Sequence, residues 1–145
     1  MLHLLSKRTL LFAILVLSIG TASTFAQNDK YERADFQRDS IYASKLAVTI
    51  DSLYHEEQFD SCMLIIDKAL VFFDKLGLST YKIQALTHRG AINRIKGRFS
   101  NAMADFSEVL DYYRQTGNTR GEAATLNQIG AIYRTRGDYP TALDY

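Results

Sequence analysis

The chain repeats itself every 40 residues. Gly77 returns as Gly117, Gly90 as Gly130 and Gly97 as Gly137. Phe59 is followed by Phe99 and Tyr139, Cys62 by Ala102 and Ala142, and Leu46 by Leu86 and Leu126. A fixed period of about 20–50 residues belongs to stacked repeat architectures, in which each unit buries its apolar face against its neighbours. Such a chain presents an extended surface rather than a closed catalytic pocket.

Each period divides into two helical stretches. Phe99, Ala102, Met103, Phe106, Val109, Leu110 and Tyr113 step by three and four, which places them on one stripe of a helix. Asn101, Asp105, Glu108 and Asp111 fall on the opposite side and are expected to face solvent. The same stripe occurs one period earlier in Phe59, Cys62, Met63, Ile66, Ala69, Leu70 and Phe73. The preceding helices are expected over Ser40–Glu56, Thr80–Lys96 and Thr119–Arg136. Gly77, Gly97, Gly117 and Gly137 stand at helix ends, where a C-terminal cap favours positive φ. Gly90 and Gly130 stand inside helices, where glycine costs about 1 kcal/mol relative to alanine. Their recurrence predicts a close helix crossing. Asp138 before Pro140 reads as a helix N-cap. The predicted fold is all-α, an α-solenoid of stacked antiparallel helix pairs with about two and a half repeats over residues 39–145.

The run Leu126-Asn127-Gln128-Ile129-Gly130-Ala131-Ile132-Tyr133, followed by Gly137-Asp138-Tyr139 and Ala142, resembles the core of a tetratricopeptide repeat. Leu86, Gly90, Gly97, Phe99, Ala102 and Phe106 repeat the resemblance, and Leu46, Phe59, Cys62 and Ile66 do so more loosely. The 40-residue period exceeds the family's basic length of about 34, which resembles a longer-period subclass found in peptide-binding regulators and adaptors. Ile50 and Glu57 stand where the family prefers glycine, so a wider turn and a looser helix contact are expected in the first repeat. Arg89 and Asn93 replace the usual leucine and tyrosine and are expected to weaken the first helix of the middle repeat.

The ends have a different character. Lys7 and Arg8, the apolar run from Leu10 to Gly20 and the small-residue ending at Ala26 have the order of a secretory signal peptide over residues 1–26. The rival reading of this segment is a membrane anchor, but the apolar run is about half of the ~20 residues a spanning helix needs, so cleavage after Ala26 is favoured and no stable span is expected in the mature segment. Its style is bacterial, which predicts a periplasmic or otherwise extracytoplasmic protein. Removing residues 1–26 takes two of the 17 basic residues, leaving 15 against 16 acidic. That balance offers no basic face for nucleic acid. Residues 27–38 are polar and read as a flexible lead-in. The third repeat stops within the first turns of its second helix, so residues 39–145 read as a repeat domain truncated at its C-terminal end.

Little in the chain suggests chemistry. Cys62 occupies the place of Ala102 and Ala142, a small buried position, and reads as a structural thiol. His55 and His88 lack the spacing of a metal site, and no phosphate loop or nucleophile elbow occurs. No catalytic residue, metal or cofactor is expected.

The resemblance implies a concave groove lined by the first helix of each repeat. Its contact points fall at Ser44, Ala47, Asp51, Tyr54 and His55, at Gln84, Thr87, Ala91, Arg94 and Ile95, and at Ala124, Asn127, Ala131, Arg134 and Thr135. Arg94 and Arg134 lie one period apart, with Asn127 on the same side of its helix as Arg134. Two guanidinium forks and an amide suit an extended peptide with acidic side chains or a free carboxy terminus. The candidate partner-binding residues are therefore Gln84, Thr87, Arg94, Asn127 and Arg134. The expected function is a non-catalytic protein- or peptide-binding scaffold of the cell envelope. The alternative is the extracytoplasmic input region of a larger signal-transduction protein, a histidine kinase or transcriptional regulator.

Overall fold

The computed structural model describes residues 34–145. The expected signal peptide and residues 27–33 of the lead-in lie outside that range. Residues 34–41 belong to a unit ending at Ile41; they are helical, and Arg38 pairs with Asp35 at 3.2 Å. The compact unit Tyr42–Tyr145 carries the repeats. Its helices are α1 over residues 42–55, α2 Phe59–Lys75, α3 Ser79–Ile95, α4 Phe99–Gln115, α5 Thr119–Thr135 and α6 Tyr139–Asp144. No strand occurs among the described residues. The unit is the all-α stack of consecutive helix pairs that the period predicts.

The apolar stripes set the packing. Cys62, Ile66, Ala69 and Phe73 of α2 are buried, as are Ala102, Phe106, Val109 and Leu110 of α4. One core cluster joins Ala43 and Ile50 of α1 to α2 and to Ala85 and Ile92 of α3. A second joins Ala91 of α3 to Ala102, Phe106 and Leu110 of α4 and to Ile129 and Ile132 of α5. Each cluster spans three successive helices, so burial propagates along the stack by neighbour contacts.

Every helix from α1 to α5 ends in the same way. Positive φ occurs at Glu57, Gly77, Gly97, Gly117 and Gly137, a spacing of 20 residues. At each, the turn residue's N–H donates to the carbonyl three positions back, as in Gly97 to Arg94 at 3.1 Å. The next N–H donates five positions back, as in Arg98 to Asn93 at 2.8 Å. This pair of bonds is the Schellman motif, which satisfies carbonyls the helix end leaves open. The wider turn expected at Glu57 does not form. Glu57 adopts φ 57°, its N–H reaches Tyr54 at 3.1 Å, and Gln58 reaches Leu53 at 2.9 Å. The hydrogen-bond geometry is kept and the side chain accepts the strain. Glu57→Gly should therefore stabilise the protein by about 1 kcal/mol, read as a higher urea midpoint at unchanged m.

The mid-helix glycines mark close crossings. A Cβ on Gly90 would lie 2.8 Å from Cε1 of Phe106, a fully buried ring. On Gly130 it would lie 3.3 Å from the Ala142 carbonyl oxygen. At Ile50, the corresponding place in the first repeat, α2 comes close enough for Cys62 Sγ to donate to the Ile50 carbonyl at 3.4 Å. That bond and burial place Cys62 in the core, and burial pushes its thiol up.

Asp105 corrects the expectation drawn from the stripe. It is 5% exposed rather than solvent-facing. Arg89 Nη2 donates to its Oδ1 at 2.7 Å, Arg89 Nε lies 3.2 Å from both oxygens, and Asn93 Nδ2 donates to Oδ2 at 3.3 Å. The two residues expected to weaken α3 are thus the partners of a buried carboxylate, and α3 runs its full 17 residues. Gly90→Ala should destabilise the protein by about 1–3 kcal/mol despite alanine's better helix propensity, because a Cβ there would force the buried Phe106 ring out of its packed position. Thermal unfolding of the variant, with retained far-UV helicity below the transition, checks this.

Candidate functional site

The odd-numbered helices share a face on which a cavity of about 230 Å³ opens. Its walls are Tyr54 of α1, Thr87, His88 and Ala91 of α3, and Ala124 and Gln128 of α5. Phe106 and Tyr113 of α4 also line it. The hollow exists because of one residue. Between α2 and α3 the ring of Phe73 stacks on Tyr81, with centroids 5.6 Å apart. One period on, Tyr113 faces Gly121, where a Cβ would lie 2.7 Å from its ring carbons. The ring that fills the first junction is missing from the second, and Tyr113 lies directly against the α5 backbone.

The polar groups of this site are few. Thr87 spends its hydroxyl proton on the Ile83 carbonyl at 2.8 Å, so it offers the cavity its methyl and lone pairs. The His88 ring packs on Tyr54, with centroids 4.6 Å apart. His88 Nε2 lies 3.5 Å from Asp51 Oδ1, and His55 Nε2 lies 3.5 Å from the same oxygen. Burial holds His88 below its ordinary value; Asp51 opposes this and His55 adds to it. At neutral pH the ring is an uncharged donor–acceptor at the cavity wall. Arg94 Nε donates to Gln128 Oε1 at 3.2 Å, tying α3 to α5.

The five predicted contact residues do not gather in one place. Thr87 lies in the cavity, and Arg94 reaches it only through Gln128. Gln84 is exposed on α3. Asn127 and Arg134 line a separate hollow of about 420 Å³ between α5 and α6, together with Ala131, Tyr139, Ala142 and Leu143. His88, Gln128 and Gly121 were not among the predicted contact residues. For Gly121 a signal exists, because its counterpart one period earlier is Tyr81 and a non-recurring glycine in a repeat marks lost bulk. Gln128 carries no such signal, since its role depends on the offset between α3 and α5.

Among the described residues, no group of three or more His, Cys, Asp or Glu side chains is placed to hold a metal ion. No described helix is long and apolar enough to cross a membrane.

Unfolding releases His88 to its ordinary value near 6.5, so the unfolded chain takes up the proton first as pH falls. The stability contributed by the neutral buried ring is complete above about pH 6.5 and is lost as pH drops through the depressed folded value. His88→Phe should lose less stability than the parent chain between about pH 7 and pH 5. Urea unfolding of both proteins across that range checks it, and parallel curves would remove His88 as the cause.

Residues 81–145 match the family model described as tetratricopeptide repeat, and this part of the chain belongs to that family. No curated protein and no solved structure matches the chain.

Proposed function

We propose that this tetratricopeptide-repeat unit binds an extended segment of a partner protein along the face formed by α1, α3 and α5. The family is a protein–protein interaction scaffold and generally non-catalytic, and the cavity walled by Tyr54, Thr87, Ala91, Ala124 and Gln128 supports the same role here. That cavity carries the reading. It is open toward the shared helix face, largely apolar, and sized for one side chain of a bound segment, while Gln128 and His88 supply polar contacts at its wall. An apolar or aromatic anchor entering it would supply most of the affinity, with main-chain contacts fixing direction.

The acidic character expected of the partner rests on Arg134, exposed beside Asn127 in the α5–α6 hollow. A segment anchored at the Ala124 cavity and continuing along α5 would bring its next residues to that guanidinium. The envelope location rests on residues 1–26, whose charge, apolar run and small-residue ending have the order of an export signal. In an extracytoplasmic input region of a larger signalling protein, the same face would receive the ligand.

Selection of peptides from a random display library on the full chain tests the reading. Ala124→Trp fills the cavity from an exposed position and should weaken the selected peptides at least about tenfold, ~1.4 kcal/mol, with helicity unchanged. Arg134→Ala should weaken acidic peptides selectively and flatten their salt dependence. Unchanged binding to the Ala124→Trp protein would place the binding surface elsewhere.

A further inference from the structure

The cavity beside Ala124 is built largely from rings. Tyr54, His88, Phe106 and Tyr113 all line it, and the Tyr54 and His88 centroids lie 4.6 Å apart. The backbone does not ask for a glycine at position 121. Gly121 is not among the residues with positive φ, and its N–H donates to the Asn118 N-cap at 2.9 Å. It stands in the first turn of a regular helix, where any side chain is accepted and glycine is disfavoured. What the position lacks is the ring that Tyr81 supplies one period earlier, stacked on Phe73 with centroids 5.6 Å apart and planes 29° apart. Tyr113 is the counterpart of Phe73 and Gly121 that of Tyr81, so α5 offers Tyr113 no ring.

We propose that the partner segment supplies the missing ring: its anchor in the Ala124 cavity is an aromatic side chain. This rests on the reading that a partner segment binds the α1–α3–α5 face, and adds the chemistry of its anchor. At about 230 Å³ the cavity is smaller than the ~300–1,000 Å³ of small-molecule sites, so it takes one side chain rather than a whole ligand. Against ring walls an aromatic anchor gains edge-to-face and offset contacts beyond the area it buries, whereas an aliphatic one gains area alone.

Charge has no place in this cavity. Among the described residues no Asp, Glu, Lys or Arg lines it, so an entering carboxylate or ammonium would lose its hydration without a counter-charge. Gln128 Oε1 already accepts from Arg94, which leaves the amide N–H2 to donate to a phenol oxygen, so tyrosine is received as well as phenylalanine. Across α3 lies a second cavity, of about 390 Å³, whose wall includes Asp67, Arg89, Asn93, Arg98 and Asp105. A ring entering there would strip water from charged groups, so of these two cavities only the first suits an aromatic anchor. No bond is made or broken; the step is one of recognition.

The test uses the full chain, labelled with nitrogen-15, and two kinds of probe. The tyrosine side chain as a free molecule, p-cresol, should shift the Gly121 and Gln128 amide signals saturably. Its ring-saturated counterpart should bind about threefold or more weakly. Peptides selected from a random display library should share an aromatic residue at one position. Exchanging that residue for cyclohexylalanine, which is bulkier and more apolar, or for leucine should weaken them about threefold or more. Tyr113→Phe with Gly121→Tyr rebuilds the Phe–Tyr pair of the first junction within the protein; it should raise the urea midpoint and weaken both probes about tenfold or more. Ala124→Trp fills the same cavity from an exposed position and should abolish the p-cresol shifts, which keeps the test open should the double variant not fold. Peptides that are lost on Ala124→Trp yet prefer leucine or cyclohexylalanine would overturn the aromatic anchor and leave the binding face in place. Peptides indifferent to Ala124→Trp would remove the face, and the inference with it. Absence of saturable p-cresol shifts, or p-cresol binding that survives Ala124→Trp, would also overturn it.

Discussion

The left-handed residue that ends each helix governs this structure. An α-helix leaves its last carbonyls without intrahelical partners, and the Schellman bonds at residues 57, 77, 97, 117 and 137 satisfy two of them each time. They also reverse the chain within three residues, so the next helix starts at a fixed angle and distance. Because the same closure recurs every 20 residues, α2 to α5 are all 17 residues long. Equal helices with equal turns bring Phe59, Cys62 and Ile66 into the same relation with α1 that Phe99, Ala102 and Phe106 have with α3. The core is periodic because the turns are. Glu57 shows which constraint prevails: a residue with no preference for positive φ adopts it because losing both carbonyl partners would be worse.

With the turns fixed, differences among the repeats reside in side-chain volume and polarity. Tyr81 and Gly121 occupy one position in successive repeats, and the exchange of a ring for a hydrogen opens the cavity beside Thr87 and Ala91. Ile129, Tyr133 and Tyr145 against Arg89, Asn93 and Asp105 are a second such exchange, one of polarity. In a stack where each unit touches only its neighbours, such local changes are tolerated because their strain is not shared by a global core.

Much of the fold was legible in the sequence because it depends on period and volume. The stripe through Ala102, Phe106 and Val109, the cap at Asp138 and the burial of Cys62 all follow from spacing within one helix. Asp105 was not legible from its own helix. Its burial depends on a guanidinium 16 residues earlier, and helical periodicity assigns a lone carboxylate to solvent. Aligning the repeats exposes it, since a polar residue then stands opposite Ile65 and Tyr145. The groove was legible only as a face. That Arg94 turns to Gln128, and that Asn127 and Arg134 open into a hollow with α6, depends on the axial offset of neighbouring helices, which no spacing within the chain encodes.

Helix α3 is the wall common to both cavities. Thr87, His88 and Ala91 face the first, while Arg89 and Asn93 face the second, so the two cavities lie back to back across one helix. Phe106 and Asp105, adjacent in α4, complete the two walls from the other side. The bonds from Arg89 and Asn93 to Asp105 hold α3 against α4, the same contact that positions Phe106 beside the first cavity. The only covalent route between the cavities is the backbone of these two helices, and the packing route is the Gly90–Phe106 crossing, already tighter than a Cβ would allow. Close packing of that kind transmits displacement rather than absorbing it. A displacement of α4 against α3 would therefore reach Phe106 and, through it, the wall of the cavity beside Thr87 and Ala91.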